Sequence, residues 1–186
     1  MTLWSSAEAE KATGGKNTKA WEAKGVSIDS RTVQKGDLFV ALVGEHNDGH
    51  DYLAMAFENG AVAALVSRVP DGFDDQALLV VDDTLKAMED LGAAARARCG
   101  GKVIGVTGSV GKTGTKEFLA TAFGALGQTH ASIKSYNNLW GVPLSLSNMH
   151  AGTDFGVFEM GMNHANEIVP LSKQVRPHIA IITTVQ

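Results

Sequence analysis

The chain has 186 residues, 44% of them hydrophobic, and carries 16 Lys and Arg against 20 Asp and Glu for a formal charge of −4. That content can bury a sizeable core in one or two domains, and a mildly acidic surface without a basic block argues against nucleic-acid or anionic-membrane partners. Its single cysteine, Cys99, cannot form an internal disulfide, and neither a charged-then-apolar leader nor an apolar run of about 18 residues is present, so a reducing cytoplasm is the expected location.

Ser5-Ser6-Ala7-Glu8 has the capping-box pattern and Gly14-Gly15 is a stop, which predicts a short helix over 5–13. After the polar connection Lys16 to Thr18, residues 25–29 alternate like a strand. A turn at 34–37 follows, and the apolar run 38–43 reads as a buried strand. Residues 44–50, GEHNDGH, are too polar and glycine-rich for a regular element and read as a loop. Asp51 is placed to cap a helix carrying Leu53, Ala54, Ala56 and Phe57, and 61–66 reads as the next strand, which completes a βαβ unit. A further buried strand at 77–81 closes on Asp82-Asp83, and Thr84 is placed to cap a helix reaching about Cys99. The expected organisation is a first domain over 1–83, a connecting helix over 84–100 and a second domain over 101–186.

The most informative stretch is KVIGVTGSVGKTGTKE at 102–117. A β-branched run leads into Gly108-Ser109-Val110-Gly111, and Lys112-Thr113 opens a segment with apolar residues at Phe118, Leu119, Ala122 and Phe123. Glycines let backbone amides converge on a phosphate, and a helix N-terminus adds partial positive charge. Lys112 would reach the terminal phosphates and Thr113 would hold magnesium. The strict G-x-x-x-x-G-K-[ST] pattern needs glycine at 106, where Val106 stands. A tight βα turn alone accounts for the glycines but not for Lys112 and Thr113 together.

Beyond this, 129–133 is a weak strand, Gly141-Val142-Pro143 starts a short helix, and 154–161 is an apolar strand ending on Glu159. Ligands of an open parallel sheet lie beyond the carboxyl ends of its strands, so Glu159 is expected at the same rim as Lys112. A helix over about 166–175 and a strand over 178–185 follow. His50, His130, His150 and His178 lack ligand spacing and read as structural or solvated, and His164 reads as a turn or cap residue. Arg31 has two readings, an ion pair with Asp29 or Asp37 and a bidentate grip on a phosphate.

TGSVGKTGTKE at 107–117, NNLWGVPLSL at 137–146, FEMGMNHANEI at 158–168 and RPHIAIITTV at 176–185 together resemble the Mur ligases. SIDSRTVQKGDLFVAL with GEHNDGHDY resembles that family's UDP-binding domain, and NN-x-x-GVP with EMGMN points to the branch that adds D-alanyl-D-alanine. The resemblance implies an α/β chain with a small N-terminal UDP-binding domain followed by the first part of a P-loop mononucleotide-binding parallel-sheet domain. It implies ATP and Mg2+ as cofactors, and UDP-N-acetylmuramoyl-tripeptide and D-Ala-D-Ala as partners. The enzyme is then a cytoplasmic monomer of peptidoglycan synthesis that neither binds nucleic acid nor enters the membrane, and it activates the tripeptide carboxylate as an acyl phosphate. On this sequence, Gly108, Ser109, Val110, Gly111, Lys112, Thr113 and Gly114 would hold the ATP phosphates, and Thr113 and Glu159 the metal. Lys112, Glu159 and Asn138, preferred over Asn137, would be catalytic, and Ile28, Ser30, Arg31, Glu45, His46 and Asn47 would grip the UDP sugar.

Gly114 stands where relatives commonly carry Thr or Ser, and Asn166 where glycine is usual. Family members also continue past the equivalent of Gln186 with a histidine, a carbamylated lysine and a C-terminal domain. The chain is therefore expected to be the N-terminal part of the enzyme and not to ligate by itself. The alternatives are an amino-acid-adding Mur ligase, a nucleotide-binding module without catalysis and, weakest, a P-loop kinase, in which a UDP-type domain would have no purpose.

Overall fold

The capping box predicted at Ser5 forms: its hydroxyl accepts from Glu8 N at 3.3 Å while the Glu8 carboxylate accepts from Ser5 N at 3.0 Å. This occupies amides at the start of α1 (Ser6–Thr13), which ends at Gly14 with φ 70°. The computed structural model describes every residue except 163, 165 and 186. It divides into two compact units, 1–91 and 92–186, with the division inside one helix.

In the first unit β1 (Trp4–Ser5), β2 (Lys16–Asn17) and β3 (Glu22–Ala23) are strands of two residues, too short for alternation to reveal. β1 pairs antiparallel with β3. The main sheet adds β4 (Gly25–Ser27), β5 (Asp37–Val40), β6 (Ala63–Val66) and β7 (Leu78–Val80) in the order β2-β7-β6-β5-β4. Its strands run parallel except for β2 at the edge. The stretch 16–18, read as a polar connection, thus contributes an edge strand, held by its partner β7 and not by any pattern of its own. Leu53 and Ala56 of α2 (Leu53–Glu58) pack with Phe39, Ala64, Val66 and Leu78.

Two caps differ from the sequence reading. Asp48, not Asp51, accepts from His50 N at 2.9 Å and opens a 3₁₀ turn, Gly49–Tyr52, ahead of α2. Asp83, not Thr84, accepts from Leu85 N and Lys86 N at 2.8 and 3.0 Å at the start of α3 (Thr84–Arg98). In both cases the carboxylate just before the first turn faces the free amides, which a residue already within the turn cannot do.

The second unit holds β8 (Lys102–Thr107), β9 (Thr129–Ala131), β10 (Phe155–Glu159) and β11 (Ile179–Ile182), all parallel in the order β11-β8-β10-β9. α4 (Lys112–Gly124) follows β8, α5 (Gly141–Ser147) follows β9, and α6 (Ile168–Val175) follows β10. Val103, Phe158, Val142, Leu146 and Leu171 form one core cluster; Ile104, Val106 and Val157 form another with Leu119 and Phe123. Phe118, read as one of the apolar positions of α4, is 73% exposed. Asn166 adopts φ 73° ahead of α6, a left-handed conformation that Asn tolerates better than most residues.

Three histidines are structural. His50 is buried, joined through Nδ1 to Asp48 at 2.6 Å, and accepts at Nε2 from Ser67 N at 2.9 Å. His178 Nδ1 accepts from Val103 N, and His130 Nε2 donates to Ser145 O. Burial holds His130 below the ordinary histidine range and outweighs the Ser145 bond. Among the described residues no helix is long and apolar enough to cross a membrane.

Candidate active site

The turn between β8 and α4 is shaped by backbone that side chains resist. Gly108 lies at φ 135° and Gly111, the N-cap of α4, at φ 86°. No side chain caps this helix, so its first amides remain directed into the loop, where an anion can take them. The Lys112 ammonium donates to Gly108 O at 2.7 Å and to Ser109 O at 3.3 Å, folding over the same loop. Thr183, beyond β11, braces the loop: its hydroxyl donates to Val110 O at 2.6 Å and its backbone N–H to Thr107 O at 2.9 Å. Ser109 N is itself committed to Thr184 O at 2.7 Å, so of the predicted phosphate-holding stretch 108–114, the Ser109 amide is already paired.

Glu159 joins this loop because β10 lies beside β8 in parallel register, with Glu159 opposite Val106. Both strands therefore end at the same rim. Glu159 is 1% exposed, and its carboxylate accepts from Thr113 Oγ1 at 2.9 Å and from Asn137 Nδ2 at 2.7 Å, while Glu159 N donates to Ser132 Oγ at 3.1 Å. Lys112, Thr113 and Glu159 are thus brought together. Asn138 is not: its side-chain oxygen accepts from Gly141 N, the first amide of α5, at 2.9 Å. The amide on the glutamate belongs to Asn137, which the sequence ranks second. A Cβ at Gly161 would stand 2.7 Å from the Asn137 amide, so the glycine of the EMGM run is what lets that side chain approach.

Among the described residues no three His, Cys, Asp or Glu side chains converge as a metal cage. One buried carboxylate with one hydroxyl is nonetheless a hard-oxygen set, and it fits magnesium, which is usually held by one or two carboxylates and completed by phosphate and water oxygens. Gly114, on the exposed first turn of α4, leaves open space around a Cβ. Gly114→Ala should therefore stabilise the chain by about 0.5–1 kcal/mol through the lost flexibility of glycine. A urea titration comparing the two proteins measures this, and a destabilised variant would contradict it.

In the first unit, 28–31 and 41–47 leave the carboxyl ends of the adjacent parallel strands β4 and β5. Glu45, His46 and Asn47 are exposed. Ser30 is buried, and its carbonyl accepts from Asn59 Nδ2 at 2.8 Å. Arg31 forms the ion pair that was one of its two readings, with Nε and a terminal nitrogen on Asp29 at 2.8 and 2.7 Å. Its side chain is 79% exposed, a setting in which such a pair contributes ~0–1 kcal/mol and can open to another anion. Two depressions of this unit, about 760 and 420 Å³, are lined by residues around α1 and at the ends of β6 and β7. They contain none of the predicted residues, so side-chain chemistry and strand topology carry the site, not concavity.

A parallel sheet, a glycine turn opening a helix on Lys-Thr, and a carboxylate ending the neighbouring strand define an α/β protein with a P-loop-like strand–turn–helix. Residues 106–186 match the Mur ligase middle domain, and residues 22–98 match the Mur ligase family catalytic domain. The chain belongs to the Mur ligase family. It is 40% identical over 162 residues to the UDP-N-acetylmuramoyl-tripeptide--D-alanyl-D-alanine ligase of Bacillus subtilis, covering 87% of this chain and 35% of that one. The Escherichia coli ligase of the same name is 39% identical over 157 residues, covering 84% and 34%. Among solved structures, MurF from Acinetobacter baumannii superposes with TM-score 0.83 at 38% identity, covering 96% of this chain and 40% of that one. MurF from Thermotoga maritima, solved in complex with ADP, gives 0.66 at 32%, covering 86% and 37%. The chain spans well under half the length of these relatives.

Proposed function

We propose that this chain provides the UDP-sugar and ATP sites of a cytoplasmic, monomeric ligase of peptidoglycan synthesis that joins D-Ala-D-Ala to UDP-N-acetylmuramoyl-tripeptide. The observation that carries the reading is the Thr113–Glu159 contact of 2.9 Å beside the uncapped N-terminus of α4. Residues 101–186 bind ATP, 84–100 connect, and 1–83 take the UDP sugar through Ile28, Ser30, Arg31, Glu45, His46 and Asn47. The 34–41% coverage of relatives named for this reaction supports these assignments for the shared part.

Phosphate oxygens compete with the carbonyls of Gly108 and Ser109 for the Lys112 ammonium and win because they carry full charge. The uncapped N–H groups at the start of α4 donate to the same anion. Thr113 and Glu159 would hold Mg2+, which would neutralise charge on the transferring phosphoryl group. Asn137 fixes the Glu159 carboxylate in place. The tripeptide carboxylate attacks the γ-phosphorus, ADP leaves, and an acyl phosphate forms. The dipeptide amine then adds to the acyl carbon and loses a proton, and the tetrahedral intermediate expels phosphate. The chain's contribution is positioning and charge compensation, the main terms in phosphoryl transfer.

The test is calorimetric. Lys112→Ala should weaken Mg-ATP binding to this chain by about 1.5–3 kcal/mol, the range for hydrogen bonds to charged groups. UDP-N-acetylmuramoyl-tripeptide should shift the amide resonances of 28–31 and 45–47 first. Unchanged ATP affinity in the variant sinks the nucleotide assignment, and shifts confined to residues after 101 sink the UDP-sugar assignment.

A further inference from the structure

Lys116 lies one turn after Lys112 on α4 and is 0% exposed. Its ammonium donates to Ser132 O at 2.9 Å, to Lys134 O at 2.8 Å and reaches Glu117 Oε1 at 2.7 Å, which satisfies all three N–H groups. Burying an ammonium costs several kcal/mol before its partners compensate, and an apolar side chain of similar volume would fill the same space without that cost. What the lysine does and an apolar residue cannot do is grip two carbonyls of one short segment.

That segment leads to the candidate site. Ser132 N donates to Val157 O at 3.0 Å, and Ser132 Oγ accepts from Glu159 N. Lys134 is held at φ 51°, a left-handed conformation unfavourable for a side chain without local compensation. Three residues later Asn137 places its amide 2.7 Å from Glu159 Oε1. Asn137 O is fixed in turn by Gly161 N at 2.8 Å.

We infer that Lys116 is a positioning residue: by holding the Ser132 and Lys134 carbonyls it locks the left-handed turn that presents the Asn137 amide to Glu159, and so sets the carboxylate for the metal-bound nucleotide. The inference rests on the ATP and magnesium reading above for its consequence, but its structural half is measurable on the ligand-free chain. Lys116→Met keeps volume and removes the grip. In that variant the Asn137 side-chain NH2 resonances should lose the slowed solvent exchange of a half-buried, bonded amide. The tightening of ATP binding on adding Mg2+ should fall about tenfold, with metal-free ATP affinity unchanged. Adding Lys134→Gly lets the turn adopt positive φ without help. The double variant should therefore recover both the Asn137 signal and most of the magnesium effect, a rescue that a mere space-filling role would not give.

The inference is overturned if Lys116→Met folds with the Asn137 resonances unaltered, or if Lys134→Gly restores nothing. It is also overturned if Lys116→Met and the double variant both fail to fold, since that assigns the lysine to the core alone. If the unmodified chain does not bind ATP, the nucleotide reading fails, while the Asn137 resonances and their rescue still decide the role of Lys116.

Discussion

Gly108→Ala is expected to disable the proposed phosphate loop and destabilise the second unit together. Gly108 lies at φ 135°, outside the range side chains adopt, and its added Cβ would stand 2.3 Å from Thr183 Oγ1 and 2.9 Å from Thr184 O. Relieving either contact moves the brace beneath the loop, because Thr183 also holds Val110 O and Thr184 O holds Ser109 N. Backbone strain of about 1–3 kcal/mol and an overpacking cost of about 1–3 kcal/mol act in the same direction. Urea denaturation should show a loss of ~2–6 kcal/mol, with ATP binding by calorimetry lost in parallel. A variant matching the parent in both measurements would mean that the loop does not depend on this backbone.

Glu159→Ala is expected to separate metal-dependent from metal-independent binding. Removing the carboxylate deletes the acceptor shared by Thr113 Oγ1 and Asn137 Nδ2. It also deletes a negative charge beside the proposed phosphate site. Without magnesium, ATP should bind as well as before or slightly better, because repulsion is relieved. With magnesium, the added affinity should fall by about 1.5–3 kcal/mol, the range for interactions of charged groups. Glu159→Gln should behave similarly, since the amide is neutral and sets an NH2 donor where one of the two carboxylate oxygens now accepts from Thr113 or Asn137. Calorimetry at a series of magnesium concentrations tests this, and an undiminished magnesium response would remove Glu159 from the metal site.

The parts of the site that were legible before the structure share one property: their chemistry is contiguous. Gly108, Gly111, Lys112 and Thr113 lie within six residues, and a glycine turn followed by a cation and a hydroxyl at a helix start needs no distant partner to be recognised. Glu159 was legible one step removed, because a buried parallel strand must end at the sheet rim where ligands gather. Asn137 and Asn138 were not separable. They are neighbours of identical chemistry, and only the turn at Lys134 and the cap on Gly141 decide which amide faces the glutamate. Lys116 carried a weaker signal that was missed. Helical spacing puts it on the face of Leu119 and Phe123, which pack in the core, whereas Phe118 is turned to solvent.

By itself the sequence determined the class of fold, the order of its main strands and helices, and the placement of the glycine turn with Lys112-Thr113 and of Glu159 at one sheet rim, because periodicity, glycine placement and capping act over a few residues. Only the tertiary structure decided the short strands β1, β2 and β3, the caps at Asp48 and Asp83, the pairing of Arg31 with Asp29 and the burial of Lys116. The short strands and the burial of Lys116 depend on partners distant in sequence, which leave no local pattern to read, whereas the two caps and the Arg31 pair are contacts two residues apart in which the folded backbone selects, within about 3 Å, one of several neighbouring groups of equivalent chemistry.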